Sequence, residues 1–283
     1  MDGINLYVNK GETLCVVGES GCGKSLTSLA IMDLLPKAAN KTMTALDLSG
    51  TNILNYSQKR MSDIRGNKMA MIFQEPMTSL NPAYSIGNQL MEAMLRHKKI
   101  SRGAARDRAV ELLQKVGITD AENRLRQFPH QLSGGLRQRV MIAMSLMCGP
   151  DLIIADEPTT ALDVTIQAQI LSLLKELQND LGMGLLLITH DMGVVARMAD
   201  RVAVMYAGQI VEEGTVHQVF DNPTHPYTKG LMSCIPVPGK VKRGDPLGTI
   251  PGIVPSLVGD FNGCRFDGRW SSSMEDDLDK RVS

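Results

Sequence analysis

Gly18-Glu19-Ser20-Gly21-Cys22-Gly23-Lys24-Ser25 follows the apolar run Thr13-Leu14-Cys15-Val16-Val17 and leads into Leu26-Thr27-Ser28-Leu29-Ala30-Ile31-Met32, which reads as a helix. Strand, glycine-rich turn and helix form the context a P-loop requires. Only there do successive backbone N–H groups and a helix N-terminus converge on one phosphate chain. Gly18, Gly21 and Gly23 let the backbone curl close to an anion, Lys24 can reach β- and γ-phosphates, and the Ser25 hydroxyl can sit on Mg²⁺. At background composition the pattern arises by chance in roughly one chain in a hundred of this length, so a purely structural glycine turn is the weaker reading.

Outward from this turn, apolar runs recur and each ends in polar residues. Met69-Ala70-Met71-Ile72-Phe73 ends in Gln74-Glu75-Pro76, Leu152-Ile153-Ile154-Ala155 in Asp156-Glu157-Pro158, and Leu185-Leu186-Leu187-Ile188 in Thr189-His190-Asp191. Val202 to Tyr206 is followed by Ala207-Gly208, a hairpin signal into Gln209-Ile210-Val211-Glu212. Shorter strands are expected at Ile4 to Val8 and around Ala45 to Leu48. Continuous apolar strands alternating with helices predict an α/β fold with a mainly parallel core sheet. Ligands gather at the carboxyl ends of such strands, where Gln74, Asp156, Glu157 and His190 stand.

Helical periodicity from about Ser85 to Val116 predicts a helical insertion. It closes at Gln131-Leu132-Ser133-Gly134-Gly135, where Ser133 is a candidate N-cap and the glycines leave N–H groups uncovered at the start of the next helix. That is a second anion-binding helix end. Beyond Gly214, prolines at 223, 226, 236, 238, 246, 251 and 255 leave room for a short helix near Tyr227 to Ser233, with a boundary near Asp221.

Across 283 residues, Lys+Arg 30 balances Asp+Glu 30. A formally neutral chain exerts no general pull on nucleic acid or anionic lipid. Arg96-His97-Lys98-Lys99, continued by Arg102, Arg106 and Arg108, reads as a solvated connection between helices. Neither a membrane-length apolar run nor signal-peptide character is visible, which predicts a soluble cytosolic chain. Cys15, Cys22, Cys148, Cys234 and Cys264 contain no C-x-x-C pair, so reduced thiols are expected. Cys22, inside the phosphate-binding turn beside Lys24 and a helix N-terminus, is expected to be a reactive thiolate that MgATP protects.

Hydrolysis of a bound nucleotide needs a carboxylate for Mg²⁺, a group that activates water and a sensor for the γ-phosphate. Asp156 closes an apolar strand, as a Mg²⁺-holding acid would; Glu157, one residue on, is free to polarise water. Gln74 can reach either Mg²⁺ or the water, and His190 can hydrogen-bond the γ-phosphate. Singly, each is equally readable as a cap or a solvated loop residue; their joint placement is what favours catalysis.

With these motifs the chain resembles ABC-type ATPase subunits. The resemblance rests on the P-loop, Gln74, Leu132-Ser133-Gly134-Gly135-Leu136-Arg137-Gln138, Leu152-Ile153-Ile154-Ala155-Asp156-Glu157, Ala161-Leu162-Asp163 and His190, and spans most of residues 11–214. It implies a P-loop NTPase fold: an ATPase domain over 1–220, with a helical subdomain at about 80–150, and a Pro-rich extension over 221–283. In that family Ser133, Gly134 and Gly135 close on the γ-phosphate held by a second subunit, so ATP and Mg²⁺ are sandwiched in a head-to-tail dimer. Asp163 belongs to the same nucleotide-binding set. Leu136 stands where the family often has glutamine, a mild departure.

The tail is similar to that of oligopeptide and dipeptide importer ATPases, through Asn222-Pro223-Thr224-His225-Pro226-Tyr227-Thr228, Ile250-Pro251-Gly252-Ile253-Val254-Pro255 and Gly263-Cys264-Arg265-Phe266. Nickel importers share much of this pattern. The resemblance implies an energy-coupling subunit, peripheral on the cytoplasmic face of the inner membrane. Its implied partners are a second ABC ATPase subunit, two membrane-spanning permease subunits and an extracytoplasmic solute-binding protein, with no nucleic acid. Subfamily members usually begin with a further strand whose aromatic stacks on adenine, and Met1-Asp2-Gly3 reads as starting after it. Loss of stacking worth about one to three kcal/mol would lower ATP affinity tenfold or more, giving a subunit that binds ATP with little turnover as the alternative. Some relatives hold an iron–sulfur cluster in the tail; Cys234 and Cys264 alone do not supply four thiolates, Trp270 and the acidic Glu275-Asp276-Asp277 follow, and no cluster is expected. An ABC machine working on nucleic acid or ribosomes usually carries a coiled-coil insertion or tandem ATPase domains, and neither is seen.

Overall fold

The computed structural model describes residues 1–160, 162–235, 249–255 and 263–269. Its strands are β1 (Thr13–Val17), β2 (Asp47–Leu48), β3 (Thr51–Asn52), β4 (Met69–Ile72), β5 (Leu152–Asp156), β6 (Gly184–Thr189), β7 (Arg201–Tyr206) and β8 (Gln209–Thr215). The helices up to the signature glycines are α1 (Lys24–Ile31), α2 (Gln58–Ile64), α3 (Pro76–Ser79), α4 (Ile86–His97), α5 (Arg102–Lys115) and α6 (Ala121–Arg124). They continue with α7 (Gly134–Leu146), α8 (Val164–Leu181), α9 (Met192–Met198), α10 (Val216–Asp221) and α11 (Pro226–Ser233). The architecture is mixed α/β with a mainly parallel sheet. The chain divides into two compact units, one of Met1–Tyr7, Thr13–Ser25 and Ile188–Ser283, the other of Val8–Glu12 and Leu26–Leu187.

In the first unit β1 pairs in parallel with β7, from Leu14 opposite Arg201 to Val17 opposite Val204. Every residue of β1 is buried. That explains its uninterrupted apolar sequence, since a strand covered on both faces cannot alternate. Asp200 fixes the start of the pair: its carboxylate accepts the Thr13 N–H at 2.8 Å, and its own N–H donates to the Thr13 carbonyl at 2.9 Å. β7 turns antiparallel into β8 through Ala207 and Gly208, with φ of 45° and 78°. Two positive φ values in a row make the primed turn whose twist matches a hairpin.

The end of this unit packs around Tyr206 of β7. Tyr227 of α11 lies 4.5 Å from its ring and Phe266 lies 5.2 Å away, while Tyr227 and Phe266 are 5.7 Å apart. All are essentially fully buried, each ring contributing roughly 1.5–3 kcal/mol by burial. His225, the N-cap of α11, accepts the Tyr227 N–H on Nδ1 at 3.1 Å and lies 5.8 Å from Phe266.

In the second unit β4 and β5 pair in parallel, Met69 opposite Leu152 through Ile72 opposite Ala155. Around them the helices start where the sequence offers a side-chain oxygen: Ser85, Ser101, Ser133 and Asp163 each accept the N–H three residues on. α7 packs against β4, α4 and α5 and is buried along Val140, Met141, Ile142 and Ala143.

Some expectations change. Residues 4–8 form no strand; the Tyr7 carbonyl is taken by the Arg201 side chain at 3.0 Å, whose guanidinium lies 3.7 Å over the Tyr7 ring. The strand around Ala45 shrinks to the two-residue β2, paired with β3 across Ser49 and Gly50, both at positive φ. The helical stretch from Ser85 splits at Lys98–Ser101 into α4 and α5. Ala161, Pro236, Pro238, Pro246, Trp270 and Glu275-Asp276-Asp277 lie outside the described residues.

Burial holds the His225 pKa below the ordinary 6.5, against an opposing pull from Glu212. The folded state therefore prefers neutral imidazole, and protonating Nδ1 would remove the cap acceptor. That contribution is complete above pH 6.5 and is lost as pH falls through the unfolded value toward the lower folded one. Melting temperature should thus fall between about pH 7.5 and pH 5.5 more steeply in wild type than in His225→Asn, which keeps an acceptor that does not titrate. Parallel profiles would contradict this assignment.

Candidate functional site

The turn that follows β1 lies hard against the end of β7. A Cβ on Gly18 would stand 2.0 Å from the Met205 carbonyl oxygen, so no other residue fits there. Gly21 and Gly23 have φ of +81° and +109°, backbone that other residues adopt only under strain. Gly208, in the β7–β8 turn, donates its N–H to the Cys22 carbonyl at 2.9 Å. Lys24 opens α1 and is only 5% exposed; its Nζ donates to the carbonyls of Gly18 at 2.8 Å and Glu19 at 3.0 Å, with Cys22 Sγ at 3.8 Å. A nearly buried ammonium met there by neutral groups favours an anion beside it. Ser20, Gly21 and Ser25 face solvent, leaving the mouth of the turn open. The donor set fits a phosphate chain.

In the second unit the structure brings two sequence candidates together. Gln74, just beyond β4, donates its amide to Glu157 Oε2 at 3.1 Å, and Thr160 donates its hydroxyl to the same oxygen at 2.9 Å. Parallel pairing of β4 with β5 makes this possible, because it carries both strand ends to the same edge. Asp156, the last residue of β5, is 5% exposed. Glu157 has φ of 45°, left-handed backbone that costs a non-glycine residue about 1 kcal/mol or more. Strain of this kind concentrates at functional sites, and here it turns the side chain toward Gln74 and Thr160.

Ser133 and Gly134 are exposed at the start of α7. The start of α8 lies beside them: a Cβ on Gly134 would meet Leu162 at 3.8 Å, and one on Gly135 would meet Ile166 at 3.1 Å. Asp163 caps α8, accepting the Ile166 N–H at 3.0 Å. Gln138, almost fully buried in α7, donates its amide to the Pro158 carbonyl and so ties this helix to the residue after Glu157. His190 is exposed directly after β6, in the first unit with Gly18–Ser25. Gln74, Asp156, Glu157, Ser133, Gly134, Gly135 and Asp163 belong to the second.

Thr160 is not among the residues singled out from sequence, though it stands three residues after a candidate base; Gln138 is named there only within the Leu132–Gln138 stretch, and its tie to Pro158 is visible only in the structure. The reactivity expected of Cys22 is overturned. Its side chain is 0% exposed, and burial raises its pKa, outweighing the pull of Lys24. The sulfur lies beneath the turn, 3.0 Å from where a Gly18 Cβ would be. In the native protein, iodoacetamide should modify the exposed Cys264 well ahead of Cys22, as read by peptide mass spectrometry during a time course. Equal rates would show that the turn opens to solvent.

Comparison with known proteins gives consistent results. The ABC transporter family profile matches residues 1–160, and the profile of the oligopeptide/dipeptide transporter C-terminal region matches 211–276. A probable peptide ABC transporter ATP-binding protein of Sinorhizobium fredii is 52% identical over 267 residues, covering 94% of this chain and 79% of its own. An oligopeptide transport ATP-binding protein of Bacillus subtilis is 52% identical over 279 residues, covering 98% and 78%. Among solved structures, a dimeric ATP-binding cassette in a post-hydrolysis state, bound to ADP and Pi, aligns with a TM-score of 0.66 and 28% identity over 75% of this chain and 89% of that one. With a glycine turn whose donors fit a phosphate chain, a Gln74–Glu157 pair and a family match over more than half its length, the chain belongs to the ABC transporter ATP-binding family.

Proposed function

We propose that this chain is the ATP-hydrolysing, energy-coupling subunit of an importer for di- or oligopeptides, working as one of a pair of ATPase subunits on a membrane permease. The observation that carries it is the strained Glu157 carboxylate, held by Gln74 and Thr160 at the end of a buried parallel strand. The peptide assignment draws on the names of the Sinorhizobium and Bacillus relatives and on the match of the C-terminal region.

In this reading the turn from Gly18 to Ser25 forms the cradle for the phosphate chain through backbone N–H groups other than those of Glu19 and Cys22, which Tyr227 and the Glu19 carbonyl take up, and the Lys24 ammonium takes the charge of its terminal oxygens. Ser25, Asp156 and Gln74 are the oxygen donors offered to Mg²⁺, which when bound offsets charge on the β- and γ-phosphate oxygens. Glu157 accepts hydrogen bonding from the attacking water as its oxygen adds to the γ-phosphorus and the bond to the bridging oxygen of ADP breaks. The Gln74 amide keeps that carboxylate aimed, and His190 hydrogen-bonds the γ-phosphate. Ser133, Gly134, Gly135 and Asp163 serve the nucleotide of the second subunit. Exposure of Ser133 and Gly134 at the start of α7 suits that use.

In this reading the chain divides into an ATPase domain of 1–220, within which about 80–150 form the helical subdomain, and an extension over 221–283 whose described residues pack with β1 and β7 in the first unit. Exposed Phe73 and Tyr84, 40% and 55% accessible, lie near the Gln74 loop and suit contact with a permease. No helix among the described residues is long and apolar enough to cross a membrane. Membrane association is therefore assigned to the permease partners, at the cytoplasmic face, with an extracytoplasmic protein delivering the peptide.

Glu157→Gln should bind MgATP within a few fold of wild type while turnover drops at least about a hundredfold; Lys24→Ala should lose binding itself. Both are measured by nucleotide titration and phosphate release, alone and with the permease and its partner ATPase in vesicles. Undiminished turnover in Glu157→Gln would refute the assignment of the base, and turnover in the vesicles indifferent to added peptide would refute the cargo.

A further inference from the structure

The carboxyl-terminal segment takes hold of the phosphate-binding turn through Glu19. Every polar group of that residue is engaged. Its N–H donates to the Tyr227 hydroxyl at 2.8 Å, its carbonyl accepts from Lys24 Nζ at 3.0 Å, and its carboxylate accepts from Arg269 Nη1 at 2.7 Å and Nη2 at 3.2 Å. Arg269 lies 250 residues away along the chain and is 8% exposed. Its Nε donates to the Pro251 carbonyl at 2.7 Å, its Nη2 to the Ile250 carbonyl at 3.2 Å, and its Nη1 stands 3.5 Å from the Tyr206 hydroxyl. The guanidinium is held in place by its own segment before it reaches Glu19. Tyr227, wholly buried, is fixed by the aromatic cluster.

A carboxylate inside a turn that binds phosphates is an electrostatic liability, since like charges a few ångströms apart repel in proportion to how little water screens them. The two-pronged bond from Arg269 neutralises it and fixes its direction. Tyr227 and Lys24 meanwhile hold the N–H and the carbonyl of the peptide joining Gly18 to Glu19, so the start of the turn is shaped partly by residues far beyond the ATPase motifs. We infer that Arg269 and Tyr227 are positioning residues for nucleotide binding, through which the C-terminal segment sets the affinity of the turn for ATP. The inference rests on the ATP reading proposed above.

The test uses the full chain with Arg269→Gln, Glu19→Gln and the double variant, and two measurements. Titration with a fluorescent ATP analogue at about 50 mM and about 0.5 M salt reads affinity, and amide hydrogen exchange of the peptide spanning the turn reads its order. Arg269→Gln should weaken ATP binding about tenfold at low salt and less at high salt, and speed exchange in the turn. Removing the stranded carboxylate, in Glu19→Gln with Arg269→Gln, should restore affinity to within about threefold of wild type even if the melting temperature stays low. A purely structural contact would not give that rescue. Wild-type affinity in Arg269→Gln, or a double variant binding as weakly as Arg269→Gln, overturns the inference. Should Arg269→Gln not fold, Arg269→Lys keeps the charge and loses the fork, and the same reversal by Glu19→Gln is required. If the wild-type chain binds no MgATP, the ATP reading fails by itself. Exchange then decides the contact: faster exchange in Arg269→Gln upholds its hold on the turn, and unchanged exchange removes it.

Discussion

The approach of Gly18 to the Met205 carbonyl oxygen leaves no space for any side chain, and much of the first unit is arranged around that contact. It forces the turn after β1 against the end of β7. The parallel register from Leu14–Arg201 to Val17–Val204 delivers the two strand ends to one level, and the Gly208 N–H then reaches the Cys22 carbonyl. Tyr206, the residue after Met205, carries the aromatic cluster on which Tyr227 and Phe266 rest. A turn meant to hold phosphates cannot spend all of its N–H groups within the protein and needs support from elsewhere. Pressing its outer side against a finished strand is how this chain keeps such a loop ordered.

Glu157 shows the same trade in the second unit. Its left-handed backbone works against stability, and nothing about packing requires glutamate there. What the conformation gains is a carboxylate oxygen shared by an amide from one strand end and a hydroxyl three residues on. Asp156, one residue earlier, keeps ordinary strand geometry and is buried. Adjacent acids thus receive different environments.

Much of this was legible in the sequence because it follows from local rules. Buried strands announce themselves as apolar runs, Ala207-Gly208 as a hairpin turn and Ser133 as a helix cap; the turn and the cap are formed by neighbours within a few residues. Gln74 and Glu157 were nominated by standing at strand ends, and the parallel pairing of those strands brought them into contact. Residues 4–8 failed as a strand because an alternating pattern says nothing about whether a partner is present; an arginine side chain took the Tyr7 carbonyl instead. Cys22 was misjudged because proximity to Lys24 is visible in one dimension and burial is not. The grip of Arg269 on Glu19 joins residues 250 positions apart with no motif at either end, and no periodicity could have disclosed it.

The pairing of β1 with β7 also fixes when the site can exist. β1 lies near the start of the chain, and the strand that orders it, with the Asp200 carboxylate that fixes its first residue, is 187 residues further on. At synthesis speeds of about 5–20 residues per second, the ribosome needs roughly 10–40 s to make the missing partner. Throughout that interval β1 lacks the β7 edge against which it pairs. The segment that carries the glycine turn is therefore open to mispairing during its manufacture, and the turn gains the Met205 backing only once that distant strand has been made.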